Sequence, residues 1–334
     1  MGSVLLGQDT TVHTLSNVII RVPWVNYFSI TDSMYQFKIV AGRKVDVVSL
    51  SNMNSDLSTN NYRQIFKRTS GIYVSEHDAS GLQTSISSRG LSANRSWEFN
   101  MRQNGYDIAA DPSGYPEAYY TPTLDAVSKV EVFRGSSALQ YGTQFGGMIN
   151  YVFKDNTSDK PLAFENTQTI GSYGLFNSYT AISGKKNHWT YYGSVHHRNA
   201  DGFRQNSVYK TQNYFAKLTY EMKHGKLSGE FSKSYYLSQQ PGGIHDSLLE
   251  NHADTSFRAR NWFEVQWNIA SLQGEFNLSK NTKINGYLTY TFADRNSVGF
   301  LKSVSIPDTI DKATGLYSTR QVDIDHYQTV SSEI

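Results

Sequence analysis

Between residues 129 and 153 apolar and polar side chains alternate in two arms separated by glycines. In the first arm Val130 and Val132 share a face with Arg134, opposite Glu131 and Phe133; in the second, Met148, Asn150 and Val152 oppose Ile149, Tyr151 and Phe153. A period of two predicts strands. Gly135, Gly142, Gly146 and Gly147 predict a tight backbone path between them. Strand-length segments of the same period recur after Lys154. Over 211–222, Tyr214, Ala216, Leu218, Tyr220 and Met222 lie opposite Asn213, Lys217, Thr219 and Glu221. Over 283–293, Ile284, Gly286, Leu288, Tyr290 and Phe292 lie opposite Lys283, Asn285, Thr289 and Thr291. Short polar joins at 184–187, 223–225 and 279–282 alternate with long ones at 200–210, 238–260 and 296–320. Seven such strands are expected, with an eighth from about Gln321.

Upstream the texture is mixed. A short helix is expected over 56–67, with Leu57, Ile65 and Phe66 inward and Gly71 ending it. Short strands are expected at 72–74 and 85–89. Residues 1–16 read as an extended N-terminus. Its Ser3-Val4-Leu5-Leu6-Gly7 is either the tail of a secretion signal or a start without such history. The change of texture near residue 156 divides a mixed α/β unit, 17–155, from a strand-rich unit, 160–334.

Composition narrows the classes. Thirty-one Lys and Arg against 29 Asp and Glu leave a formal charge of +2, which gives no reason to expect nucleic acid as partner. Without cysteine there is no disulfide framework, zinc ribbon or thiol nucleophile. No run reaches the roughly 18 apolar residues of a membrane helix. Twenty-three tyrosines, a mean hydropathy of −0.50 and short alternating segments suit a membrane β-barrel. A soluble β-sandwich or propeller shares much of that signature, so both readings stand at this level. Short turns at one end and long loops at the other favour the barrel. His196 and His197 are adjacent in a strand and point to opposite faces, so no shared metal is expected. No GxSxG elbow is present, and neither an enzyme nor a cofactor is expected.

The glycine-rich stretch is neither GxGxxG nor GxxxxGK[ST], and a strand follows it, which excludes a phosphate cradle. It resembles the plug domain of TonB-dependent outer-membrane receptors. Arg134-Gly135, Tyr141-Gly142 and Gly146-Gly147-Met148-Ile149-Asn150 carry the likeness, together with the motif from Ile86 through Arg89-Gly90-Leu91 to Asn94-Arg95 and the turn Asn104-Gly105-Tyr106-Asp107. Within the family the chain is most similar to ferric-dicitrate receptors in the form common among Bacteroidetes. Leu139-Gln140-Tyr141-Gly142, Asp201-Gly202-Phe203-Arg204, Gln239-Gln240-Pro241-Gly242-Gly243 and Arg258-Ala259-Arg260-Asn261-Trp262 carry that likeness.

The resemblance implies an all-β-dominated fold: a mixed α/β plug, then the first strands of a 22-stranded antiparallel transmembrane barrel. Such a barrel needs on the order of 500 residues after the plug, whereas 180 follow Lys154. The chain therefore reads as the N-terminal part of a receptor. The expected partners are TonB, outer-membrane lipid and ferric citrate; another siderophore, cobalamin or a glycan is the alternative cargo, and a soluble β-rich binding module the rival class. Arg102, Gln103, Tyr115 and Tyr119 are expected at the plug's outward apex as ligand-binding residues. Arg204, Gln239, Gln240, Arg258 and Arg260 are expected to join them from the long loops, because guanidinium groups bind carboxylates in bidentate fashion. Arg89 and Arg134 are implied to lock the plug to barrel glutamates. Val18, Ile19 and Ile20, in 15–22, are the candidate TonB-coupling strand.

Overall fold

The computed structural model describes residues 45–334, apart from 52, 54, 68, 112–116, 143 and 157–158, together with the backbone of three short strands before residue 45. The Val18–Ile20 coupling candidate, the possible signal remnant and Tyr115 lie outside the described residues.

The first unit is built on a six-stranded sheet. Its strands are β1 (Phe28–Ser29), β4 (Val45–Ser49), β7 (Phe99–Gln103), β8 (Tyr106–Asp107), β9 (Val127–Phe133) and β10 (Gly147–Phe153), in the spatial order β1-β4-β9-β10-β7-β8. All neighbours are antiparallel except β10 and β7, which run parallel. Two hairpins stand beside it: β2 (Met34–Tyr35) with β3 (Lys38–Ile39), and β5 (Ile72–Glu76) with β6 (Thr84–Ser88). The helix α1 (Tyr62–Phe66) is shorter than its sequence predicts. The Asp56 carboxylate accepts from the backbone N–H groups of Ser58 and Thr59, a local turn that competes with helix, and Asn60 adopts φ +58°. Asn61 then caps the helix by accepting from Gln64 N at 3.2 Å.

The glycines between β9 and β10 serve close backbone approach. Gly147 sits at φ +121°, and a Cβ there would lie 2.1 Å from the Phe133 carbonyl oxygen; one on Gly146 would lie 2.6 Å from that of Glu98. The segment between the arms is a 3-10 turn over Gly135–Tyr141 rather than open loop.

The second unit is an open antiparallel sheet of eight strands in chain order: β11 (Ala163–Ile170), β12 (Phe176–Lys186), β13 (Trp189–Ala200), β14 (Tyr209–Met222), β15 (Gly225–Gln239), β16 (Trp262–Asn277), β17 (Lys283–Gly299) and β18 (Gln321–Glu333). A short helix, α2 (Asp246–Asn251), lies in the long loop between β15 and β16. Tight joins at 187–188, 223–224 and 278–282 gather at one end. Those at 171–175, 201–208, 240–261 and 300–320 gather at the other, and β17 claims residues 296–299, which the sequence pattern places in a loop.

Alternation along these strands is inverted relative to a water-soluble protein. On β14, Tyr214, Leu218, Tyr220 and Met222 are exposed, whereas Thr211, Phe215 and Thr219 are buried. On β17, Ile284, Leu288, Tyr290 and Phe292 face out while Thr289 and Thr291 are buried. An apolar outer row over a largely polar inner row is how a strand meets lipid on one side and a filled lumen on the other. The inner row packs on the first unit: Val130, Ile149 and Tyr151 share one core with Tyr179, Phe215, Val265 and Trp267 of the wall.

Candidate functional site

At the long-loop end two adjoining cavities, of about 490 and 230 Å3, separate the first unit from the wall and its loops; His77 borders both. The larger is framed by Arg63, Glu76 and Asp78 below and by Tyr173, Phe203 and Arg204 above. The smaller is framed by Arg95, Tyr119, Tyr236, Gln240 and Phe263. The β5–β6 hairpin supplies the floor, because Asp78 holds its loop: one carboxylate oxygen accepts from both Ser80 N and Ser80 Oγ.

Charge in the cleft is mixed. Arg63 pairs with Glu76 at 3.0 Å, and Arg95 grips Glu117 through Nη1 at 3.0–3.1 Å and reaches the Tyr119 hydroxyl at 3.2 Å. Burial pushes the carboxyl groups of Glu76 and Asp78 up from their ordinary values, in spite of Arg63 and Ser80 respectively. Both acids therefore hold a proton more readily than a free carboxyl. Tyr119 stacks on Tyr327, and Tyr120 on Trp267. Arg295 lies over the rings of Tyr119 and Phe263 and pairs with Asp325 at 2.7 Å.

The roof is held together by guanidinium groups. Arg204 donates to Gly242 O at 2.8 Å and Thr255 O at 2.9 Å, joining two loops. Arg258 is buried and donates to the carbonyls of Phe257, Ile306, Lys302 and Ser303, at 2.7–3.1 Å. Its burial lowers its pKa. Both Nη atoms are thus committed to backbone and, unlike Arg204, Arg258 lines neither cavity, which corrects the expectation that it reaches into the cleft for a ligand. Arg260 is partly exposed, lies 3.6 Å above the Tyr317 ring and sits 3.7 Å from Asp308, a buried carboxylate that also binds Arg320. Of the remaining loop candidates, Gln239 accepts from Val208 N, and Gln240 lines the smaller cavity.

Two apex candidates lie elsewhere. Arg102 is buried against the wall, bonded to Gly105 O at 2.7 Å and paired bidentately with Glu333 near the short-turn end. Burial works against its charge, yet the bonds and charge of Glu333 hold its pKa above the ordinary value. Gln103 is buried and bonds Tyr106, Tyr120 and Ser232. Both are buried on β7, which lies between β10 and the edge strand β8, with their polar groups committed to plug and wall partners. Neither lines the cleft expected of an apex residue. Arg134 pairs with Asp46 and Ser70 O inside the first unit rather than with a wall glutamate. Arg89 is exposed and has no ion pair among the described residues. Asn104 and Tyr106 of the turn motif both donate to Glu230 of the wall, and further buried polar contacts involve residues that the motifs do not mark. Arg198 donates to Ser58 O and Ser80 O. His196 bonds Asn177 at 2.7 Å and Asn213 at 2.9 Å, and lies 3.5 Å from Asp125. Its neighbour His197 faces the other way, as strand parity requires.

Residues 39–148 match the family model of the TonB-dependent Receptor Plug Domain. No curated protein matches the chain. Among solved structures it is similar to the ferric citrate transporter FecA in its unliganded form, with 20% identity, a TM-score of 0.64 and coverage of 76% of this chain and 40% of that one. It is also similar to the copper transporter OprC (13%, TM-score 0.65, 87% and 42%). A third likeness is to BauA, the ferric preacinetobactin receptor from Acinetobacter baumannii (16%, TM-score 0.64, 86% and 42%). At these identities the likeness is one of fold, and the chain spans about two fifths of each transporter's length. Receptors that carry such a plug reside in the Gram-negative outer membrane and are transporters rather than enzymes. Residues 39–148 therefore carry a TonB-dependent Receptor Plug Domain, and the eight-stranded open sheet that follows has the fold of part of the wall in such transporters.

Proposed function

We propose that this chain is part of a receptor that takes up ferric citrate across the outer membrane, driven by TonB. One observation carries the reading: a cleft on the outward plug face, floored by Arg63 and Arg95 and roofed by arginine-laced loops. Ferric citrate presents several carboxylates, and guanidinium matches them with paired, charge-assisted hydrogen bonds. The ring faces of Tyr119, Tyr236 and Phe263 offer flat walls for the chelate's body. Support also comes from the motif likeness to ferric-dicitrate receptors and from the fold shared with a ferric citrate transporter. Tyr119, Arg204 and Gln240, which line the cleft, remain proposed ligand-facing residues from the sequence, with Arg95 added; Arg260 and Tyr115 are likewise proposed to bind the ligand. Val18, Ile19 and Ile20 are proposed as the TonB-coupling strand.

The test is a titration of ferric citrate into the detergent-solubilised receptor. Arg95→Ala combined with Arg260→Ala should weaken binding by about 10- to 150-fold for each charge-assisted hydrogen bond removed. Heat-modifiable gel mobility should show the barrel intact. Unchanged affinity in a folded double variant removes these arginines from the site. Absence of ferric citrate binding by the unaltered receptor removes the cargo.

A further inference from the structure

Arg95 is presented to the smaller cavity by a strained turn between β6 and β7. Arg95 and Ser96 both lie in the left-handed region, at φ +46° and +54°, where residues with a Cβ are disfavoured. Hydrogen bonds with neighbouring segments hold the turn. Arg95 N donates to Ser85 Oγ at 3.0 Å, Ile86 N to Ser96 Oγ at 2.8 Å, and Ala118 N to Arg95 O at 2.7 Å. Strain retained by its surroundings is typical of positions where a side chain must be aimed. The pairing of Arg95 leaves one edge open. Both Glu117 oxygens meet the single nitrogen Nη1, and among the described residues Nε and Nη2 make no hydrogen bond. Paired donors of that kind are what a ligand carboxylate takes in bidentate fashion. Glu117 itself is 8% exposed, does not line the cavity, and accepts from the Tyr119 hydroxyl. A fixed carboxylate thus stands behind the guanidinium that faces the cavity.

We propose that Glu117 is a charge filter on Arg95, favouring the iron-loaded chelate over the free chelator. The inference rests on the anionic-chelate reading and adds a specificity-determining residue to it. A ligand carboxylate on the Nε–Nη2 edge shares the guanidinium with Glu117, and the two acids repel each other across it. The cost grows with the net negative charge of the ligand. Free citrate brings its negative charge in full, whereas in the chelate the ferric ion offsets much of it. The larger cavity repeats the arrangement, since Arg63 pairs with Glu76 at 3.0 Å and Asp78 belongs to the same lining. Both floor guanidinium groups therefore meet the cargo already partnered. Glu117 touches no cargo and acts through Arg95.

Titrations of ferric citrate and of iron-free citrate into the detergent-solubilised receptor test this with Glu117→Gln, whose amide oxygen still accepts from Arg95 and Tyr119. The expected result is tighter binding of iron-free citrate, by about tenfold, and a smaller gain for ferric citrate, so that the preference for the loaded form falls. Glu117→Asp keeps the charge and should keep the preference, even where both affinities drop. A purely structural prop moves both ligands alike. Equal changes for the two forms in Glu117→Gln, or loss of the preference in Glu117→Asp as well, overturn the proposal. Arginine-directed reagents read the same filter without the cargo. Glu117→Gln should speed modification of Arg95 by the anionic carboxyphenylglyoxal more than by the neutral phenylglyoxal, followed by peptide mass. If neither form of citrate binds while this charge-selective labelling appears, the cargo assignment fails and the filter stands. Labelling that changes equally for the two reagents overturns the filter.

Discussion

Two aspartates of the plug, Asp125 and Asp78, illustrate how residue environment sets the sign of a pH effect. Burial would raise the Asp125 carboxyl, but the hydrogen bond and charge of His196, with Arg198 and Asn177, outweigh it and hold its pKa below 3.8. A depressed folded value contributes stability that is present above the unfolded pKa and lost as pH falls through the folded one. Asp125→Asn should therefore loosen the plug at neutral pH and flatten its acid sensitivity below about pH 4, read by amide exchange across 123–128. At Asp78 the balance is reversed: burial outweighs the Ser80 bonds and raises its pKa. Its ionised form opposes folding, so stability declines as pH rises from 3.8 through the raised value. Asp78→Asn should make the β5–β6 hairpin firmer at pH 8 with little change at pH 4, and equal protection at both would sink this reading. Neither sign is legible in the chain, since Asp125 and His196 are 71 positions apart and meet only when the plug enters the wall. The same holds for Arg258. Sequence marks it as a loop arginine, while four carbonyls from two loops make it a clasp. Arg258→Ala should speed amide exchange over 300–320 by about tenfold with the strands unaffected, whereas a ligand-only role predicts no change without cargo.

At the scale of elements, the period of two makes the wall legible, and local competition obscures the plug. The outward row Leu218, Tyr220 and Met222 and the inward row Lys217, Thr219 and Glu221 are readable because a strand's two faces meet different solvents. Loop edges drift by a few residues, as at 296–299, because polar inward residues look like loop residues when the lumen is filled by another unit. The expected helix over 56–67 shrinks to five residues because Asp56 and Asn60 favour turns. The Gly146-Gly147 pair reads as a tight path in the sequence, but its purpose is specific: Gly147 lets β10 begin against the Phe133 carbonyl. Gly147→Ala should destabilise the plug by about 1–3 kcal/mol or more, through both the positive φ and the 2.1 Å approach. Pulse proteolysis would show plug cleavage with the wall strands still protected. A variant as resistant as the original would mean that the β9–β10 junction relaxes freely.

At the scale of the molecule, the wall's outer face and its two free edges make one joint demand. The exposed row on β12 to β18, from Ile182 through Leu218 and Phe231 to Leu288 and Val330, offers apolar surface that water does not favour. Strands β11 and β18 do not pair with each other, so each presents a row of backbone donors and acceptors along one side. In lipid such groups must be satisfied within the protein, and in water they template pairing with another chain. The plug does not relieve either demand. Its contacts lie on the inner face, where Tyr151 and Trp267 share a core and Arg102 reaches Glu333. Residues 1–334 produced alone are therefore expected to sediment from buffer, to need detergent for extraction and to run as oligomers. Supplying the further strands of a complete barrel should convert them to a heat-modifiable monomer. Analytical ultracentrifugation in buffer and in detergent separates the outcomes. A monodisperse monomer in buffer would mean that the inverted alternation does not face lipid, and the wall would then have to be read as a soluble sheet.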